Sequence, residues 1–270
     1  MPKLRRPSLP KGQIVAPGQV DRWLEEAQRR LVGKDYPGAI QLCERALAIV
    51  PASVPIRADF LNILTNAFGL LRRFEEAYQA ALEGARLAPK DSMLWYNLGQ
   101  SARYTMRMGE SLTYFERAAE TNRDPKQAKM YAQEVKVARQ LVASELKLRG
   151  PGFTLDQLIE QQGLFQEANA LMSAEQWTEA EAAFRQVIAM ADVLPQPWGN
   201  LGLCLLMQRR YDEAETALRR ALQIDPQYDL ARQNLANLPE LRRSGKLPTL
   251  AIRDPMAKAK ISQRFVIQKG

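Results

Sequence analysis

Apolar residues along this chain recur three and four positions apart, the spacing of one face of an α-helix. Between 126 and 149, Ala128, Tyr131, Val135, Ala138 and Val142 form one such stripe, which predicts a single long helix ended by Gly150, Pro151 and Gly152. Thr154 then opens a second long helix, with Leu155, Leu158, Phe165 and Ala168 spaced for burial. A third starts near Gln227 and carries Leu230, Asn234, Leu235 and Leu238 on adjacent turns. The pattern predicts an all-α fold.

Around these helices lie shorter segments that repeat one another. The clearest runs from Pro195 to Asp225 and is followed by Pro226, with Trp198, Leu201, Gly202, Tyr211, Ala214 and Ala221 at fixed spacing. Two antiparallel helices pack closely only where a small residue on one receives a large residue from the other, and Gly202 and Ala214 supply hollows for neighbours such as Trp198 and Tyr211. This order of large and small residues resembles the tetratricopeptide repeat family. Four more copies follow in the same register. The first, from about Val20, has Trp23, Ala27, Tyr36, Ala39, Ala46 and Pro51. The second, from about Ala58, has Leu61, Leu64, Phe68, Phe74, Ala77, Gly84 and Pro89. A third carries Trp95, Leu98, Gly99, Ser111, Phe115 and Ala118 before a displaced Pro125, and a fourth, from about Gln161, carries Ala168, Trp177, Ala180 and Phe184.

The small residues Ala39, Ala77, Ser111, Ala180 and Ala214 are separated by 38, 34, 69 and 34 residues. Thirty-four is the family period; the first interval implies a longer turn at 52–56, and the third leaves nearly one repeat's length for the irregular long helix. The resemblance therefore implies a right-handed α-α superhelix of about five repeats, with a long helix in the middle and a capping helix at the end. The expected organisation is a basic, proline-rich segment at 1–19, three repeats at 20–125, a capping or connecting helix at 126–150, two repeats at 151–226, a capping helix at 227–243 and a basic, extended segment at 244–270.

In this family the first helix of each repeat lines a concave groove. Carried onto this chain, the groove positions are Leu24 and Gln28; Asp59, Asn62, Asn66 and Leu70; Tyr96, Gln100, Arg103 and Tyr104; Phe165, Asn169 and Met172; and Leu203, Leu206 and Met207. The expected partner-binding set is Asn62, Asn66, Tyr96, Gln100, Arg103, Tyr104, Phe165, Asn169, Met172, Leu203, Leu206 and Met207. Amides there suit an exposed peptide backbone, while aromatic and Met residues suit its side chains. Some family members clamp the terminal carboxylate of a chaperone with lysines and asparagines. Asn66 and Asn97 fall at asparagine places of that pattern, but Asn62 stands where its first lysine belongs.

Composition narrows the chemistry. The chain has 270 residues and no histidine, so it lacks the usual general base and the commonest zinc ligand. No Cys-x-x-Cys occurs, and the Gly-Lys pairs at Gly33 and Gly245 lack the rest of a phosphate-binding loop. Cys43 and Cys204 fall within apolar helical patterns and are expected as buried, reduced thiols. Neither an enzyme nor a cofactor site is expected. The formal net charge is +8, but it sits at the ends: residues 1–18 carry four basic and no acidic residues, and 240–270 carry eight basic and two acidic. Arg5, Arg6, Lys258, Lys260 and Arg264 are thus candidates for attachment to an anionic surface, nucleic acid or acidic lipid, as an alternative to the groove. No run approaches the length needed to cross a bilayer, and the N-terminus lacks an apolar signal core, so a soluble, cytoplasmic protein is expected.

Overall fold

In the computed structural model, residues 18–51 and 55–245 are described, and they form twelve helices and no strand. The expected turn at 52–56 therefore lies mostly outside the described residues. By contacts the described residues fall into two compact units, 18–142 and 143–245.

The first unit holds three helical hairpins, α1 (Gln19–Val32) with α2 (Tyr36–Ile49), α3 (Arg57–Leu70) with α4 (Phe74–Leu87), and α5 (Ser92–Tyr104) with α6 (Met108–Thr121). The helix α7 (Pro125–Arg149) follows and runs on into the second unit. That unit continues with α8 (Leu155–Ser173) and α9 (Trp177–Met190), α10 (Pro195–Met207) and α11 (Tyr211–Ile224), and closes on α12 (Asp229–Ser244).

All five hairpins turn in the same way. Three residues separate the helices, and the middle one, Lys34, Arg72, Met106, Glu175 or Arg209, adopts left-handed backbone with φ of 66°, 61°, 63°, 59° and 62°. The next N–H then reaches back five residues to a helix carbonyl, as Arg73 does to Phe68 and Arg107 to Ala102, both at 2.8 Å. This is the Schellman arrangement, which satisfies carbonyls that the helix end leaves open.

Inside each hairpin, small residues let the helices close. Gly99 lies under the Phe115 ring, so a Cβ there would sit 2.8 Å from it, and Gly202 faces Leu218, where a Cβ would meet Cγ at 2.6 Å. Between hairpins, one apolar cluster joins Ala27, Cys43 and Ala46 to Phe60, Leu64 and Phe68, and another joins Tyr78 and Ala81 to Leu94 and Leu98. The second unit has its own core, running from Ala168 and Phe184 through Leu201, Cys204 and Leu218 to Leu238 and Leu241.

The long middle helix differs from expectation in detail. Pro125 is its first residue, where a missing N–H costs nothing, instead of the close of the preceding repeat. Tyr131, Val135, Ala138 and Val142 are buried as the stripe predicts, but Ala128 is exposed. Thr154 caps α8: its hydroxyl accepts from the Gln157 N–H at 3.2 Å while the Gln157 side chain accepts from the Thr154 N–H at 2.9 Å, a complete capping box.

Candidate interaction surface

Asparagines on successive first helices are joined in a recurring way. Asp91 caps α5 by accepting from the Met93 N–H at 2.8 Å, which fixes the helix start and places Asn97 as its sixth residue against α3. There Asn97 Nδ2 donates to Asn62 Oδ1 at 2.8 Å. Asn66 Nδ2 donates to the Asn62 main-chain oxygen at 2.8 Å and to its Oδ1 at 3.3 Å. Asn200, the sixth residue of α10, repeats the link with Nδ2 donating to Asn169 Oδ1 at 3.0 Å. Asn234 is the sixth residue of α12, but the residue 31 positions before it, the spacing that separates Asn169 from Asn200, is Leu203, which has no side-chain acceptor. Its Nδ2 is buried with no acceptor.

Two carbonyls of the first cluster are also unmatched. Asn66 is 2% exposed and Asn97 fully buried, and both Oδ1 atoms lack a donor among the described residues. Asn62 is half-buried beside them. A buried acceptor without a donor costs about 1–3 kcal/mol, so Asn66 and Asn97 are held here at some expense to stability, and of the three only Asn62 is open to a partner.

The neighbouring first-helix residues are covered by the chain itself. Tyr96, expected to line a groove, is 1% exposed, with its ring 5.6 Å from Tyr131 of α7 and 5.7 Å from Phe115. Gln100 is fully buried and donates to the Tyr96 hydroxyl at 2.8 Å and to Glu134 at 3.4 Å. Arg103 is half-buried, with Nη1 bonded to Glu134 Oε2 at 2.8 Å. Tyr104 stacks on Phe74 at 4.6 Å and is 3% exposed. Tyr96, Gln100 and Tyr104 thus present no surface to a partner, because α7 and α4 occupy the space they face.

Glu134 did not stand out in sequence. It sits between Tyr131 and Val135 in the apolar stripe of α7 and is 8% exposed, and the available signal was a lone carboxylate on a face otherwise apolar.

In the second unit, Met172, Leu203 and Leu206 belong to the apolar core, again buried instead of lining a groove. Phe165, packed edge-on to Phe184 at 5.9 Å, Asn169 and Met207 remain half-buried. The residues that keep some surface are therefore Asn62 and Arg103 in one unit and Phe165, Asn169 and Met207 in the other. Arg5, Arg6, Lys258, Lys260 and Arg264 lie outside the described residues.

Reactive chemistry is sparse. Cys43 and Cys204 are buried free thiols; burial pushes the Cys43 thiol far up and Cys204 up to about 12, so neither supplies a thiolate. The adjacent carboxylates of α4 are engaged by arginines: Glu75 by Arg107 at 2.8 Å, and Glu76 by Arg73. Glu181, 4% exposed, is held by Arg185, Gln208 and Arg210, with Arg210 at 2.7 Å. Among the described residues no group of His, Cys, Asp and Glu could hold a metal ion, and no helix is long and apolar enough to cross a membrane.

Comparison with known proteins adds a family. Residues 165–229 match the model of the tetratricopeptide repeat. No curated protein sequence matches the chain. Among solved structures, the chain is similar to the TPR2AB domain of yeast Sti1 in complex with pHSP90, at 14% identity over 84% of this chain and 85% of that one, with a TM-score of 0.40. It is also similar to YrrB, a TPR protein with an unusual peptide-binding site, at 17% identity over 79% and 90% with a TM-score of 0.35. A third is Acl4, an assembly chaperone of RpL4, at 16% identity over 83% and 86% with a TM-score of 0.36. The matched segment contains the end of α8 from Phe165 and all of α9 to α11, and the three-residue turn seen within it recurs in every other hairpin. Residues 165–229 are thus similar to the tetratricopeptide repeat, and the described hairpins of the first unit are built in the same way.

Proposed function

We propose that the protein is a non-catalytic scaffold or assembly factor that holds an extended peptide or a helix of a protein partner against its first helices. The observation that carries this reading is the half-buried Asn62, whose side chain is fixed by Asn66 and Asn97 on successive first helices while it keeps some surface. Peptide N–H and C=O groups are the partners that such an amide takes, and a backbone supplies them at regular spacing. Arg103 at the next turns adds a cation, already shared with Glu134, that suits an acidic side chain of the partner.

The test is affinity capture from cells with full-length protein, comparing wild type with Asn62→Leu and Asn62→Ala. Leu roughly matches Asn in shape and both variants remove the side-chain amide, so helical content by circular dichroism stays unchanged. A partner bound through Asn62 is recovered at least about tenfold less by the variants, the worth of one lost charge-neutral contact plus its desolvation. Equal recovery by wild type and both variants rejects the reading.

A further inference from the structure

We infer that the outward face of α7 is a second docking surface, separate from the asparagine cluster, and that its partner is an amphipathic α-helix with an apolar seam flanked by Asp or Glu. The argument begins with what covers this helix. Tyr131, Val135, Ala138 and Val142 are turned into the protein. On the other side, Met130 and Val137 are half-buried, and Leu141 is 37% exposed. These three are spaced seven and four apart, so they form one narrow line along a helix.

Charge on this face has one sign. Lys129 and Lys136 each precede a seam residue, lie seven apart and are exposed. About 10 Å of helix axis separates them. Among the described residues the ion pairs of α7 are Arg103 with Glu134, Arg139 with Glu116 and Arg149 with Glu145, and none involves these lysines. Both acids of the helix are thus engaged by arginines, and no described acidic side chain balances the lysine row. Lys126, four residues before Met130, is also exposed and without an ion pair among the described residues, so the basic row runs on beside the start of the seam.

Seam geometry selects the occupant. Seven-and-four spacing with basic residues flanking the seam is the arrangement that receives another helix, and complementary flanking charge then sets partner choice and orientation. Carboxylates on the partner therefore fit. A second copy of α7 does not: laid antiparallel it sets lysine against lysine, and laid parallel it sets the lysines against the flank of Glu134, which is 8% exposed and already held by Arg103. A bilayer surface calls for an apolar face broader than one seam. Nucleic acid gains nothing from the apolar line, which holds no aromatic ring for base stacking.

The test uses the full-length chain and two labelled synthetic peptides of three heptads, identical in their Leu and Ile seam, one flanked by Glu and the other by Lys. Fluorescence anisotropy reads binding. The Glu peptide is expected to bind about tenfold tighter than the Lys peptide, from two flanking pairs of ordinary surface strength. The double variant Lys129→Glu with Lys136→Glu is expected to reverse that preference, and Leu141→Asp to weaken both peptides, while Asn62→Leu changes neither. Equal binding of the two peptides, binding of neither, or a preference that survives the charge reversal overturns the proposal; the last result means that basic residues elsewhere attract the peptide. Binding to phosphatidylserine vesicles or to duplex DNA that is lost in the double variant, with no Glu-peptide binding, also overturns it.

Discussion

Lys34, Arg72, Met106, Glu175 and Arg209 each place a side chain in left-handed backbone, where Cβ crowds the following carbonyl. Glycine adopts this conformation without that penalty, and most helices that end this way use it. The five positions therefore hold removable strain. Met106 is 46% exposed and its side chain contributes little burial, so Met106→Gly is expected to raise stability by about 0.5–1 kcal/mol, and Glu175→Gly, also exposed, by a similar amount. Thr105→Gly, one residue earlier at φ −95°, is the control and is expected to lower stability, since it adds unfolded-state freedom and relieves nothing. Urea unfolding of the three variants against wild type gives the signs. A fall in stability for Met106→Gly and Glu175→Gly contradicts the strain account. Sequence alone gave no mark of these positions because none is Gly or Asn. Yet they recur at the same intervals as the small residues Ala39 to Ala214, so the periodicity that revealed the repeats also located their turns.

Helix pairing rests on where a methyl group fits. Gly202 and Gly163 both lie inside helices, but the first faces Leu218 and the second has nothing within 4 Å of a Cβ. Alanine at either position gains up to about 1 kcal/mol of helix propensity. At Gly202 that gain is outweighed by overpacking, typically 1–3 kcal/mol, so Gly202→Ala is expected to lower the midpoint of unfolding while Gly163→Ala raises it. Opposite signs in thermal melts support the reading, and equal signs remove it. Gly202 was legible in sequence as the hollow of a repeat. The bond between α5 and α7 was not, because it depends on Glu134, which an apolar stripe conceals. Arg103→Met leaves this 8% exposed carboxylate without its counterion and is expected to cost about 3 kcal/mol. Adding Glu134→Leu removes the stranded charge and recovers most of the loss, and a double variant no more stable than Arg103→Met alone shows that the ion pair is not the cause.

Across the molecule, the repeat pattern made the helices and their order readable because each hairpin must satisfy the same packing rule with its neighbour. The surface left open followed a different rule. Tyr96 and Leu203 occupy first-helix positions like those of Asn62 and Asn169, yet Tyr96 is covered by Tyr131 and Leu203 enters the core beside α12, so exposure depends on which helix comes next and not on the position itself. Neighbour dependence has a consequence for opening. A repeat held mainly by adjacent repeats unravels from its ends, and the free energy of local opening rises toward its interior. In the first unit α1 buries only Ala27 and Leu31, whereas α3 buries residues on all its faces, from Ala58 to Gly69. In the second, α10 buries nearly all of Leu201 to Leu206 and is enclosed by α9, α11 and α12. The two cysteines report on these places, Cys43 in the hairpin of α1 and α2 and Cys204 in α10, and both are fully buried in the closed state. Under native conditions a thiol reagent is therefore expected to label Cys43 about tenfold or more faster than Cys204, as resolved by peptide mapping, because the end hairpin opens without the rest. Stabilising α3 should leave the Cys43 rate nearly unchanged if opening is local. Equal rates at the two thiols, both slowing together with global stability, would mean that the hairpins open only as one body and that nearest-neighbour packing does not govern this chain.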